Sequence, residues 1–258
     1  MSTVLYHSPI FGPVHSRRLG ISLGINLMPA DGKICTFDCI YCECGFNKYF
    51  KPKTNRPERQ FVYDELEKTL RRIISEGQTP NVLTFAGNGE PTTHPQFKEI
   101  VRDTIELKNK YCPKSKVSVL SNATLIDRQN VFEALMMVDN NILKLDTVDI
   151  DYIKLTNRPS STYSVERQIE NMKKFNGHCI IQTMFMKGYV NGIEVNNIKP
   201  EYIQPWLEAI KYIKPQQVMI YTVDRETPDK TLYKASKEEL DNIVRQIEQI
   251  GIPATASY

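Results

Sequence analysis

Cys35-Thr-Phe-Asp-Cys39-Ile-Tyr-Cys42 sets three thiols within one short loop, just beyond an apolar run, Ile21–Met28, that reads as a β-strand. In an α/β chain the carboxyl end of a strand is where ligands and chemistry are placed. Three thiolates this close in sequence can fold around one metal centre. A structural zinc takes four closed ligands, and Cys44 can supply the fourth. Zinc ligands usually come as CxxC pairs far apart in sequence, and this chain has no second pair. Thiolates equally suit an iron–sulfur cluster, in which three ligands on four irons leave one iron open to a small molecule.

Outward from this loop the chain alternates short apolar runs with longer amphipathic ones. Strands are expected at Ile21–Met28, Val82–Ala86, Val117–Ser121, Ile142–Asp146, Cys179–Met186 and Gln216–Thr222, each bounded by turn residues. Helical faces are formed by Leu66, Leu70, Ile73 and Ile74, by Phe97, Ile100, Val101 and Ile105, and by Val131 and Leu135. Three more come from Val165, Ile169, Met172 and Phe175, from Ile203, Trp206, Leu207 and Ile210, and from Leu240, Ile243, Val244 and Ile247. The last opens with Ser236 and Glu239 at capping-box spacing. Strand–helix alternation of this kind predicts a parallel sheet with right-handed crossovers. Six such units are too few for the usual eight-unit barrel, so the residues alone leave an open doubly wound sheet or a partial barrel. No repeat, low-complexity tract or Gly/Ser linker interrupts residues 1–258, which are expected to form a single domain.

The 258 residues are 41% apolar and 24% charged, which excludes a disordered or collagen-like chain. A chain this long buries enough apolar surface to fold without disulfides or a structural metal. Its six cysteines therefore point to metal or catalysis rather than to a disulfide framework. No run of about 18 apolar residues occurs, so no membrane-spanning helix is expected. The opening Met-Ser-Thr-Val-Leu-Tyr-His-Ser-Pro lacks a basic segment leading into an apolar one, and the cytoplasm is the expected compartment. The net charge, 33 − 30 = +3, is too small for a chain-wide nucleic-acid footprint, so DNA is not an expected partner, while a local basic patch remains compatible.

Cys35–Cys42, with Tyr41 just ahead of the last cysteine, resembles the signature of the radical S-adenosylmethionine (SAM) superfamily. Thr84-Phe-Ala-Gly-Asn-Gly-Glu-Pro-Thr-Thr-His-Pro95 resembles that superfamily's GGEP motif at the end of its second strand, with Asn88 in place of the first glycine. Ser121-Asn-Ala-Thr124 falls where the superfamily keeps a polar strand end near the ribose, and Leu143-Lys-Leu-Asp146 follows at the fourth strand. Gly12-Pro-Val-His-Ser-Arg-Arg-Leu-Gly-Ile-Ser-Leu-Gly-Ile-Asn26 and Ile220-Tyr-Thr-Val-Asp-Arg225 are similar to a compact branch related to the tRNA wyosine-base-forming enzymes, of the 4-demethylwyosine synthase type.

This resemblance implies a (β/α)6 partial barrel of the α/β class. It implies a [4Fe–4S] cluster held by Cys35, Cys39 and Cys42, whose open iron chelates the amino and carboxylate groups of SAM. One electron from a flavodoxin or ferredoxin then breaks the sulfonium C–S bond. The 5′-deoxyadenosyl radical so formed abstracts hydrogen from a nucleoside, tRNA base or related small molecule. The protein's part is to orient the cofactor and to exclude water and oxygen. The implied cofactor contacts are Gly87, Asn88, Gly89, Glu90, Ser121, Asn122, Lys144, Asp146 and Tyr41, with Gly89 and Glu90 receiving the methionyl ammonium. No residue is assigned to the hydrogen transfer. Wyosine-forming relatives carry a second cluster on earlier cysteines, but none precedes Cys35, so a second cluster is not expected.

Plainer readings stand beside these. The glycines around Asn88 suit any tight turn, and Ser121 and Asn122 suit a cap on the next segment. Lys144 and Asp146 share one strand face and can pair with each other. Gln182 is a further polar candidate on the fifth strand. Arg17 and Arg18 suit an anchor for phosphate or carboxylate near the barrel mouth. Lys48–Arg59 carries five basic residues against one acidic, beside Tyr49 and Phe50; this composition suits single-stranded nucleic acid or nucleotides, or a solvated loop. Two other functions use the same residues: an activase that places a glycyl radical on a partner protein, and a zinc-stabilised RNA-binding module without catalysis.

Overall fold

The computed structural model describes residues 4–16, 20–224 and 227–258. In chain order these form β1 (Ile10–Ser16), β2 (Gly20–Ile25), α1 (Arg59–Ser75), β3 (Val82–Phe85), α2 (Phe97–Tyr111) and β4 (Lys116–Ser121). Next come α3 (Gln129–Met137), β5 (Asn140–Lys144), α4 (Ile150–Thr156), α5 (Val165–Lys173), β6 (Ile180–Val190) and β7 (Ile193–Glu194). The chain then forms α6 (Pro200–Ile213), β8 (Gln217–Thr222), β9 (Leu232–Lys234), α7 (Lys237–Gln249) and β10 (Ala254–Ser257).

The sheet runs β1-β2-β3-β4-β5-β6-β8-β10, with every pair from β2 to β10 parallel. Register places Ile25 beside Phe85 and Phe85 beside Val119, and Leu143 beside Ile181 and Ile181 beside Val218. These residues join helix side chains such as Leu70, Phe97 and Trp206 in the main core, so the helices cover the outer face of the sheet. The inner face holds a much smaller apolar group, Ile142, Ile180 and Met219. Polar pairs sit on the strands instead: buried Ser22 with Thr84 at 2.8 Å, and half-buried Asn140 with Ser118 at 2.8 Å. The helix-covered face explains the large apolar residue at every second strand position, with the polar residues between them on the inner face. The architecture is the partial barrel, and the carboxyl ends of β2 to β6 gather the loops discussed below.

All the expected strands and helices form, with shifted ends. The structure adds elements that hydrophobic pattern does not show. β1 pairs antiparallel with β2, and its register shifts between Phe11 and Val14, where Gly12 and Pro13 interrupt the strand pattern. β10, Ala-Thr-Ala-Ser, supplies a further parallel strand with no large apolar residue. α4 is two turns long, and Asp149 caps it by accepting from the Tyr152 amide at 2.7 Å. β6 runs on past the sheet, where β7 and β9 flank it antiparallel. Among the described residues no helix is long and apolar enough to cross a membrane.

One close approach ties the cysteine loop to the sheet. Ile34 forms a bridge with Gly89: its amide donates to Asn88 O at 3.0 Å and its carbonyl accepts from Glu90 N at 3.0 Å. Gly89 has φ +132°, and a Cβ there would lie 1.9 Å from the Ile34 carbonyl oxygen. Only glycine fits both the conformation and the space. Gly89→Ala is expected to cost on the order of 3 kcal/mol, a fall in melting temperature of roughly 6–12 °C by calorimetry. A melting temperature equal to wild type would show that the bridge is not holding the loop.

Candidate active site

The cysteine loop has almost no secondary structure of its own, so its backbone groups need partners from outside. Besides the Ile34 bridge, Asp38 N donates to Asn157 O at 2.8 Å, Ile40 N to Thr156 O at 2.9 Å, and Lys33 N to Phe50 O at 2.7 Å. Thr36 O accepts from Ser160 N at 2.9 Å. The loop is thus clamped between the turn after β3, the end of α4 and the segment that follows it.

All three thiols are free, Cys39 buried and Cys35 and Cys42 half-buried. Asn122 Nδ2 lies 3.6 Å from Cys35 Sγ, and Asn157 Nδ2 lies 3.7 Å from Cys39 Sγ. Lys33, with its side chain 1% exposed, donates to Gly45 O at 2.7 Å and pairs with Asp38 at 3.6 Å. Burial opposes its charge, but Cys42, Cys35, Cys39 and Asp38 together hold the ammonium above the usual lysine range. Burial pushes the Cys35 and Cys39 thiols up, Cys39 to about 11. Cys42 goes the other way: a hydrogen bond from the Cys44 thiol, and then the charge of Lys33, hold it below the ordinary range. Gly87 O lies 3.5 Å from Cys44 Sγ and competes for the same thiol hydrogen.

The strand ends carry the other candidates. Glu90 is buried, and its carboxylate accepts four hydrogen bonds. Oε1 accepts from Thr92 N at 3.2 Å, Thr92 Oγ1 at 2.6 Å and Ser121 Oγ at 2.8 Å, and Oε2 accepts from Asn122 N at 2.7 Å. Burial pushes its pKa up while these donors pull against it. The carboxylate is a latch between the ends of β3 and β4. Asn88 is likewise committed: its side chain donates to Tyr6 O and Pro29 O at 2.9 Å each and accepts from Tyr6 N at 2.7 Å. It clamps the N-terminal segment. Gly87 and Gly89 are half-buried.

Ser121 and Asn122 do cap the following turn, with Asn122 Oδ1 accepting from Thr124 N at 3.1 Å. The Asn122 amide also donates to Thr36 Oγ1 at 2.8 Å, so the residue serves both turn and cysteine loop. Lys144 and Asp146 do pair, at 3.5 Å. Asp146 in addition accepts from the Tyr41 hydroxyl, from Asn157 Nδ2 at 2.8 Å and from Met184 N at 2.9 Å. The Tyr41 hydroxyl is therefore spent in the wall, and its ring faces Lys144 Nζ, 5.1 Å from the centroid. Lys144 also donates to the Tyr221 hydroxyl at 3.0 Å. Burial opposes the Lys144 charge, but Asp146 and then Tyr221 and Cys39 keep it protonated. Gln182 pairs in register with Lys144 and is buried, with its Nε2 unpartnered. Phe37, Ile40, Met184, Met186, Val190 and Val195 close an apolar wall around Cys39 and Tyr41.

Beyond the loop, the basic segment divides. Arg59 is held by Asp103 through two bonds of 2.7 and 2.8 Å, and half-buried Arg56 reaches Thr93 at 3.4 Å. Lys48, Tyr49, Lys51 and Lys53 are exposed, with the Lys48 ammonium 4.5 Å from the Tyr49 centroid. Arg17, Arg18 and Arg225 lie outside the described residues. Two polar residues in contact with the thiols, Lys33 and Asn157, escape the sequence reading. Lys33 stands two positions ahead of Cys35, the one signal that pointed to it.

Residues 31–194 match the model of the radical SAM superfamily, and the chain belongs to it. It is 32% identical over 236 residues to a UPF0026 protein of Helicobacter pylori strain J99, covering 90% of this chain and 71% of that one. It is 25% identical over 256 residues to a protein of Brachyspira hyodysenteriae named GTPase Obg, of which it spans only 35%. The fold is similar to a radical SAM methyltransferase from Sphaerobacter thermophilus, with TM-score 0.66 and 14% identity, over 92% of this chain and 66% of that one. It is also similar to SuiB of Streptococcus suis bound to S-adenosylmethionine, with TM-score 0.65 and 16% identity, over 91% and 50% of the two chains. The superfamily uses a [4Fe–4S] cluster and SAM.

The residues present suit such a cluster: three thiols stand in one loop, Cys35 and Cys39 each beside a side-chain amide and Cys42 beside the Lys33 charge, donors of the kind that stabilise cluster thiolates.

Removing the latch is expected to loosen the end of β4. In Glu90→Ala the Asn122 amide loses its acceptor, so its hydrogen exchange is expected to speed up on the order of tenfold or more. Unchanged exchange over residues 118–126 would mean that the Glu90 carboxylate does not bind there.

Proposed function

We propose that this chain holds a [4Fe–4S] cluster through Cys35, Cys39 and Cys42, binds SAM beside it, and abstracts hydrogen from a nucleoside- or nucleotide-type substrate. The observation that carries the first part is the arrangement of three thiols in one loop, Cys35 and Cys39 each facing a side-chain amide N–H and Cys42 beside the Lys33 ammonium. When bound, cluster and SAM supply reductive cleavage of a sulfonium C–S bond and the hydrogen-atom abstraction that follows. The chain's residues supply the setting. Gly87 and Gly89 offer backbone for a polar ligand group, and Lys144 offers a buried positive charge to a carboxylate. The apolar wall of Phe37, Met184 and Met186 excludes water from the same region. A flavodoxin- or ferredoxin-type protein is the proposed electron donor.

Anaerobic reconstitution is expected to give about four irons per chain, with sulfide, and lower iron in Cys35→Ala, Cys39→Ala and Cys42→Ala. Cys44→Ala is expected to keep the full complement. Reduced protein given SAM should release 5′-deoxyadenosine. Loss of iron from Cys44→Ala, or a single zinc in place of iron, would overturn this ligand set.

The substrate reading rests on the exposed strip Lys48, Tyr49, Lys51 and Lys53, which continues directly from the cysteine loop. Since Arg56 and Arg59 are engaged elsewhere, three lysines remain to neutralise phosphates. At about −0.7 per single-strand phosphate, log affinity for RNA should fall against log salt with a slope near −2. Charge reversal of the three lysines should flatten it. If RNA and a nucleoside monophosphate both fail to bind at low salt, an activase acting on a protein partner becomes the better reading.

A further inference from the structure

Asn157 occupies the first position beyond α4, where its backbone carbonyl accepts from Asp38 N and its side chain turns inward. The residue is 2% exposed. Its amide nitrogen has two hydrogens and three acceptors nearby: Tyr41 oxygen at 2.7 Å, Asp146 Oδ2 at 2.8 Å and Cys39 Sγ at 3.7 Å. Tyr41 and Asp146 are hydrogen-bonded to each other, so they occupy one side of the amide and share one hydrogen. The other hydrogen is left for the sulfur. Asn122 stands in the same relation to Cys35, at 3.6 Å. Hydrogen bonds to ligand sulfurs, burial and nearby charge set the reduction potential of an iron–sulfur cluster.

We propose that Asn157 is a positioning residue that donates to the Cys39 sulfur and thereby raises the reduction potential of the cluster bound there. The donor stabilises the extra negative charge that reduction places on the cluster and its thiolates. Asn157 also couples that sulfur to Asp146, so the potential depends on the polar wall at the end of β5. This inference rests on Cys39 being a cluster ligand.

The test uses the reconstituted full chain. Iron and sulfide are first measured for wild type, Asn157→Leu and Cys39→Ala, and the reduced cluster is then titrated by electron paramagnetic resonance against potential. The expectation is full iron in Asn157→Leu with the one-electron midpoint displaced to more negative values. A tenfold change in the reduction equilibrium corresponds to about 59 mV. An unmoved midpoint with full iron overturns the inference and leaves the ligand set standing. Full iron in Cys39→Ala instead overturns the ligand set. Should Asn157→Leu lose iron, Asn157→Ser removes the amide without adding bulk. A purely structural Asn157 would then change iron retention or stability but not the midpoint of the clusters that remain.

Discussion

Negative charge must be gathered at one end of the sheet without flying apart. Three thiols, Glu90 and Asp146 lie within the same small region, mostly out of water, where an unpaired charge is expensive. The chain answers with donors on every group. Glu90 takes four hydrogen bonds from Thr92, Ser121 and Asn122, and Asp146 takes donors from Tyr41, Asn157, Met184 and Lys144. The buried ammonium of Lys33 stands against the thiols themselves. Much of the local sequence can be read as the supply of these donors.

The same constraint fixes the cysteine loop in place. A loop held only by its metal would lose its shape whenever the metal left. Here the loop is bonded through its backbone to the turn after β3, to the end of α4 and to Phe50. Asn122 lies against Cys35 and donates its backbone N–H to Glu90, and Asn157 lies against Cys39 and donates to Asp146. The polar contacts that shape the site are therefore also those that join β3, β4, β5 and α4 at their carboxyl ends.

What was legible in the sequence follows from what each residue's partner is. The helix-covered face of the parallel strands carries large apolar residues, so Val82–Phe85 and Val117, Val119 and Leu120 stand out, and the cysteine spacing declares itself because all three thiols are local. β1 is broken by Gly12 and Pro13, β10 is made of small residues, and α4 is too short to show a period. Site residues divide in the same way. That Glu90 and Asn88 sit at a strand end is readable, but which atoms they bond is set by tertiary contact. Asn157 meets Cys39 across 118 positions of chain, and nothing in its neighbourhood marks it.

Lys144 shows how the polar wall shapes what the mouth offers. A lysine two residues from an aspartate on one strand face invites the view that the two cancel. Their separation of 3.5 Å is long for a hydrogen-bonded ion pair, and Asp146 spends its oxygens on three other donors as well. The ammonium instead lies 5.1 and 5.5 Å from the ring centroids of Tyr41 and Tyr221, which stabilise a cation without neutralising it. Asp146 thus keeps Lys144 charged in a buried place, while its own charge is dispersed into the wall. A charged ammonium is kept at the inner end of β5, beside the apolar side chains around Cys39 and Tyr41.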